Sequence, residues 1–361
     1  MLSTISFIAV LSILVIVHEF GHFIVAKKTG VRVEKFSIGF GPELFGITKG
    51  GTRYQISLVP LGGYVKLAGE TPEDSAKGEK WEYLSRSVGE RARIIFAGPL
   101  LNYMLAFFIF SVVFIAGSPT LTSTVGKVMP DYPAAEAGMM EGDKILKIND
   151  KQVNYWDDVT SIIHTNKETH LGLIIERDGE VMSLAVRPQS QEMNTIFGSK
   201  KKVGLIGIMP ANDIVYVKYG VIKSFYMGAQ KLFNLTYVTY RALWASATGA
   251  IPFKESVTGP IGIFYITGAA ARMGLVYLLQ LMGVISASLA IFNLLPLPIL
   301  DGGHLLFLVI EKIRRRPLSY KVQDNITQVG FILIIGMMLF VFYNDFTRFG
   351  IIDKISGLFQ R

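Results

Sequence analysis

Val15-Ile16-Val17-His18-Glu19-Phe20-Gly21-His22-Phe23 lies inside an apolar run that begins at Leu2 and ends at Lys27. Residues four apart share one face of a helix. His18 and His22 therefore offer two imidazoles on one side, with Glu19 one residue beyond the first. In this His-Glu-x-x-His spacing, two histidines hold a metal ion and the glutamate acts on a metal-bound water. A zinc ion with three protein ligands keeps its fourth position open for that water and lowers the water's pKa from about 15.7 towards about 7. A helix that merely carries polar groups does not account for the pattern. Ionisable side chains in lipid cost free energy unless partnered, and so mark functional sites.

Composition sets the frame. Of 361 residues, 50% are hydrophobic and mean hydropathy is +0.41, too apolar for an ordinary soluble protein. The expected fold is a mainly α polytopic membrane protein with four transmembrane helices, a membrane-associated β-sheet or hairpin region, and an inserted extracytoplasmic α+β domain. Formal net charge is +8. In such a chain basicity marks loops facing anionic lipid, not nucleic acid. There is no cysteine, which excludes disulfides and thiolate ligands. The N-terminal run lacks a charged start, is too long for a cleaved signal peptide, and carries the motif.

The first span covers residues 1–26, enough to cross about 30 Å of hydrocarbon. Lys27, Lys28, Arg32 and Lys35 follow, so this end is cytoplasmic and Met1 is outside. His22 then lies about 7.5 Å from the cytoplasmic face. Residues 27–93 read as a cytoplasmic or membrane-re-entrant β region followed by a polar loop. Phe36–Pro42 and Tyr54–Leu67 are short strand-like runs broken by Gly and Pro. Two readings stand: a plain cytoplasmic hairpin, or a sheet edge beside the metal on which an unwound substrate is added as a strand. In the second, Tyr54, Gln55, Ile56, Ser57 and Leu58 are candidate substrate-binding residues. Glu70–Glu90 is a charged, solvated loop. Arg86, Arg91 and Arg93 keep the start of the second span, 94–117, on the cytoplasmic side. Asn102 at membrane depth needs a partner, either another helix or substrate.

Residues 121–210 have the composition of a small soluble domain. Pro133 to Asn149 resembles the pattern of PDZ domains. Strands are expected at Leu171–Glu176 and Val181–Arg187 around a turn at Arg177-Asp178-Gly179. Gly204, Leu205, Ile206 and Gly207 look like the peptide-carboxylate loop of a permuted PDZ domain. That domain either binds a peptide C-terminus or serves only as a steric cap. His164 and His170 read as surface residues. Over 211–274, Lys218, Lys223, Lys231 and Arg241 interrupt an aromatic stretch, which reads as interfacial amphipathic helices. A hidden span there would reverse the topology that follows.

The third span, 275–311, contains Asn293-Leu294-Leu295-Pro296-Leu297-Pro298-Ile299-Leu300-Asp301-Gly302-Gly303-His304. Its prolines must break the helix, which is tolerated where the break lines a site. Asp301 is a carboxylate in apolar surroundings and calls for a partner. Lys312, Arg314, Arg315 and Arg316 mark a cytoplasmic end, so Asp301 and His22 approach the same face. Asp301 is thus the expected third ligand, ahead of His304; Glu34 and Glu43 lie where solvent satisfies them. The last span is 326–343, with a short tail outside.

The two half-motifs together, with Gly98-Pro99, Asn102, Ala106 and Thr258-Gly259-Pro260-Ile261, resemble the signature of site-2 intramembrane metalloproteases of the bacterial regulator-of-sigma-E branch. The resemblance runs almost end to end. It implies one Zn2+ per chain held by His18, His22 and Asp301, with Glu19 as general base and then acid. Asn102 and Asn293 would place substrate or stabilise the oxyanion. It further implies a zinc metalloendopeptidase of the bacterial inner membrane with both termini and the PDZ domain extracytoplasmic. Its substrates would be single-pass membrane proteins already cut outside, an anti-sigma factor or remnant signal peptides, met within the lipid bilayer. This chain has room for one PDZ domain where familiar enterobacterial members carry two. The competing class is a non-proteolytic metal-binding scaffold or transporter with a PDZ adaptor. A transporter would spread polar groups across the bilayer, whereas here they gather at one level.

Overall fold

The computed structural model describes residues 1–71, 78–195, 197–252, 254 and 257–349. Parts of the expected Glu70–Glu90 loop and the C-terminal tail lie outside the described residues. Among the described residues, four helices are long and apolar enough to cross a membrane: α1 (Leu2–Lys28), α2 (Val88–Ala116), α7 (Leu275–Asn293) and α9 (Tyr320–Arg348). In lipid, backbone polar groups must be satisfied within the segment, which overrides the weak helix propensity of the many Ile and Val residues.

Helix α2 starts before the apolar run because of a local cap. The Ser87 hydroxyl accepts from the Glu90 amide (3.4 Å), and the Glu90 carboxylate accepts from the Ser87 amide (3.0 Å). This reciprocal capping box starts the helix in polar sequence. The run expected over 275–311 is two helices. Helix α7 stops at Asn293, the proline-containing segment 294–300 follows, and α8 (Asp301–Arg314) begins at the aspartate.

Between α1 and α2 lie β1 (Val33–Lys49) and β2 (Thr52–Leu67), longer than the runs expected. Both are bent, at Gly39 (φ 91°) and Gly62 (φ 118°), backbone angles that side chains with a Cβ avoid. The bends double the hairpin into four limbs. Phe36 pairs with both Val65 and Tyr54, and Tyr54 pairs with Ile47 on its other side. The limb carrying Tyr54, Gln55 and Ile56 is therefore interior, with neighbours on both sides. This corrects the expectation that it offers a free edge. The outer limb beside α1 is Gly63–Leu67.

The remaining chain forms a second compact unit, Val113–Val221 with Tyr240–Pro252. Strand β3 (Ser118–Leu121) pairs with β12 (Ile214–Val217), so the pairing reaches beyond the 121–210 expected from composition. Strands β5 (Lys144–Ile148), β6 (Lys151–Gln152), β7 (Leu171–Arg177) and β8 (Glu180–Val186) form a sheet in the order β6-β5-β7-β8. Leu171, Leu173 and Ile175 alternate into a core with Trp156, Val159 and Ile163 of α4 (Trp156–Thr165). Both patterns match the periods of their elements. The β7–β8 turn falls on Asp178 (φ 53°) and Gly179 (φ 85°), the paired positive angles of a tight hairpin. Strand β4 (Val125–Val128) pairs with β11 (Ile208–Pro210), and β9 (Gln189–Asn194) with β10 (Lys200–Leu205). This is the α+β make-up of a PDZ domain. The four spans, the β hairpin and this insertion make a mainly helical polytopic membrane protein.

Among the described residues, helices α5 (Val221–Ala247) and α6 (Pro260–Met273) come between β12 and α7. Helix α5 packs one face on α2: Tyr103 and Thr236 hydroxyls meet at 2.8 Å, and Lys231 lies over the Phe110 ring. Its other face exposes Ile222, Tyr226, Phe233 and Tyr237. Helix α6 is capped from a distance. The buried Asp345 carboxylate of α9 accepts from the amides of Gly259 (3.2 Å) and Gly262 (2.9 Å).

Candidate metal centre

The close approach of α1 and α2 begins with two glycines. A Cβ at Gly21 would meet the Ala97 carbonyl oxygen at 2.3 Å. One at Gly98 would meet His22 Nε2 at 2.3 Å and His18 Cε1 at 2.9 Å. Only bare backbone lets the helices cross here, and the crossing seats both imidazoles against α2. His22 Nδ1–H donates to the Ile94 carbonyl at 2.9 Å. A carbonyl can only accept, so the His22 ring presents its Nε2 lone pair inward.

Asp301 arrives on the first turn of α8, where the helix dipole favours a carboxylate. Gly302 and Gly303 allow the 294–300 segment to fold back on that turn. Cβ atoms there would meet the carbonyl oxygens of Leu295 and Leu297 at 2.2 Å. The result is a convergent triad. His18 Nε2 and His22 Nε2 are 3.2 Å apart. Asp301 Oδ2 is 3.1 Å from His18 Nε2, and Oδ1 is 3.7 Å from His22 Nε2. Bonds of about 2.0–2.1 Å to a tetrahedral zinc place ligand atoms about 3.3 Å apart, so this donor set fits such an ion. Asp301 Oδ2 is moreover buried with no donor hydrogen-bonded to it, an acceptor that a cation would satisfy. Among the described residues this is the one group of three metal-type donors so gathered.

The triad opens on a chamber of about 490 Å³ lined by Glu19, Val65, Leu67, Arg91, His304 and Glu311 among others. The Glu19 carboxylate takes a backbone hydrogen bond from Val65 of the outer hairpin limb. A Cβ on Gly63 would sit 3.5 Å from Glu19 Cγ, so this limb runs alongside the glutamate.

Other candidate residues are placed differently. His304 lines the chamber beside Phe307 but stands outside the triad. Asn293 ends α7 ahead of the proline segment. Asn102 is buried, one turn after Gly98, and its side-chain atoms have no partner. The interhelical bond expected of that side chain is made instead by its backbone carbonyl, which accepts from Ser286 Oγ at 2.7 Å. Leu58 and Ile56 are exposed, while Gln55 and Ser57 are buried in a network with Ser37. In the inserted unit, Leu205 pairs with Gln189 and Ile206 belongs to the core. Gly204 packs so tightly against α4 that a Cβ would meet the Asn166 carbonyl oxygen at 2.0 Å, and Gly207 has φ 81°.

Sequence reasoning missed Gly21, the Ile94 carbonyl, and the Arg91–Glu311 ion pair described below. A glycine inside the His-Glu-x-x-His helix was the available signal for the first. The others depend on which helices meet.

The chain belongs to peptidase family M50, whose sequence profile matches residues 6–337; it is a membrane zinc metalloprotease. It is 32% identical to the regulator of sigma-E protease RseP of Escherichia coli K12, across 95% of this chain and 98% of that protein. It is 30% identical to the zinc metalloprotease RasP of Oceanobacillus iheyensis, across 96% and 99%. Among solved structures, the PDZ domain of an SdrC-like protein from Listeria monocytogenes covers 25% of this chain and 87% of that chain, at 21% identity and a TM-score of 0.21.

Proposed function

We propose that this chain is an intramembrane endopeptidase of the site-2 type, cutting single-pass membrane proteins within the bilayer of the bacterial inner membrane. The reading rests on one observation: His18, His22 and Asp301 converge beside Glu19 on a chamber flanked by membrane-spanning helices. The three residues would hold one zinc ion, which supplies Lewis-acid polarisation of a carbonyl and acidifies water. Glu19, facing the chamber, takes the proton from the attacking water and returns it to the leaving amine. An extended substrate adds as a strand to Gly63–Leu67, the limb next to Glu19, so that its backbone is satisfied while its peptide bond lies at the site. The orphaned Asn102 side chain, and Asn293, hold the substrate or its oxyanion.

Basic residues at Lys27, Lys28, Arg32, Arg314, Arg315 and Arg316 favour a cytoplasmic position for this end. The termini and the insertion then lie outside. The insertion limits access to partners whose ectodomain has already been trimmed, or takes up a peptide C-terminus. By family analogy the substrates are an anti-sigma factor or remnant signal peptides.

The test is reconstitution in liposomes with a labelled single-span peptide. Cleavage by the wild type, its loss in Glu19→Gln, and its loss on chelation are expected. Full cleavage by Glu19→Gln would refute the assignment of Glu19.

A further inference from the structure

A buried ion pair joins α8, which carries Asp301, to α2, against which the two imidazoles are seated. Arg91, on α2, pairs with Glu311, on α8, with the two side chains only 10% and 15% exposed. The guanidinium also donates from Nε to the Arg86 carbonyl at 3.2 Å. Both side chains line the chamber, yet the proteolytic reading gives them no task.

Their position suggests one. Arg91 lies one turn before Ile94, whose carbonyl orients His22, and two turns before Gly98, which packs on both imidazoles. Glu311 is ten residues after Asp301 on the same helix, about 15 Å along its axis. Among the described residues, the acidic side chains by which α8 reaches other helices are Asp301, at the triad, and Glu311. The N-terminal turn of α8 is wrapped by its own preceding segment, 294–300. A helix held at one point tilts about it, and over 15 Å a small tilt moves the far end by more than the ±0.2 Å that metal ligation tolerates.

We propose that Arg91 and Glu311 are positioning residues that set the tilt of α8 against α2, and so the reach of Asp301 to the two imidazoles. The inference rests on the proposed ligand set. The buried charge pair, with Arg91 donating to both Glu311 and the Arg86 carbonyl, is directional where apolar packing would slide.

Zinc titration of the purified full-length chain in nanodiscs, in competition with a chromophoric chelator, tests this, with circular dichroism and thermal unfolding of the metal-free forms alongside. Arg91→Met and Glu311→Gln should each weaken zinc binding about 10–100-fold, the cost of losing a partner behind a ligand. The exchanged pair Arg91→Glu/Glu311→Arg should recover most of that loss, which a general structural defect would not. Arg91→Lys keeps the charge and carries the test if Arg91→Met does not accumulate; an intermediate affinity is expected. Wild-type affinity in the single variants overturns the proposal. So does an exchanged pair that unfolds like the wild type yet binds zinc as poorly as the single variants. Failure of the wild type to bind zinc, or unchanged binding in Asp301→Ala, refutes instead the ligand assignment beneath it.

Discussion

Asp301 Oδ2 stands 3.1 Å from His18 Nε2, though the residues come from opposite ends of the chain. The distance is set by α8 beginning at Asp301 and by the Gly21–Gly98 crossing that turns the imidazoles to meet it. Asp301→Ala should therefore leave a folded, helical protein that retains little zinc after dialysis. Metal analysis per chain measures this directly.

Glu19 differs in consequence. It lies on the chamber wall and outside the triad, so Glu19→Gln should bind zinc like the wild type. Turnover should fall at least about 10²–10⁴-fold, the usual contribution of a positioned acid–base group. Metal content and cleavage rate, measured on one preparation, separate the two effects.

Gly98→Ala should act on the metal through sterics. The added methyl would lie 2.3 Å from His22 Nε2, and overpacking of this kind costs about 1–3 kcal/mol. Lower zinc affinity and a lower unfolding temperature are expected together. Gly89→Ala, on the same helix with nothing near its Cβ, should stabilise the helix by up to about 1 kcal/mol and leave zinc affinity alone.

In the inserted unit, Arg177 grips the fully buried Asp143 with two hydrogen bonds of 2.7 Å. Burial pushes the Asp143 carboxyl up, but the Arg177 fork and the Met140 amide outweigh it and hold it below the usual carboxylate range. A lowered folded-state pKa means the stabilisation is present above the unfolded value of about 3.9 and is lost as pH falls through the folded one. Acid titration followed by Trp156 fluorescence should show a transition below pH 3.9. Arg177→Met should cost about 3–5 kcal/mol by stranding a buried charge.

Asp345→Ala should orphan the Gly259 and Gly262 amides at the start of α6, costing about 1–3 kcal/mol for each. Differential scanning calorimetry of the metal-free protein reads this loss.

Much of the architecture was legible from the residues because lipid enforces it. An apolar stretch such as Leu2–Lys28 has one way to satisfy its backbone, and Pro296 and Pro298 have one effect on a helix. Asp301 could be singled out because a carboxylate among apolar residues must find a partner. The hairpin was harder. Whether Tyr54 or Val65 lies at the edge depends on how the bends at Gly39 and Gly62 double the strands, a long-range pairing that alternation alone does not encode. The start of α2 rests on a local signal: Ser87-Val88-Gly89-Glu90 is a capping box in polar sequence, upstream of where hydropathy rises. The Arg91–Glu311 pair was invisible, since each residue alone reads as a solvated charge at a helix end.

The glycine crossing has one more implication. With the Ala97 carbonyl pressed on Gly21 and Gly98 pressed on His18 and His22, α1 and α2 cannot slide or part without dismantling the triad. On the proposed function, a polypeptide reaching the site would pass on another side. Helix α9, which lines the chamber with Tyr320, Gln323, Asp324 and Thr327, is held instead through Gly330 against Pro298 and through Asp345 at the start of α6.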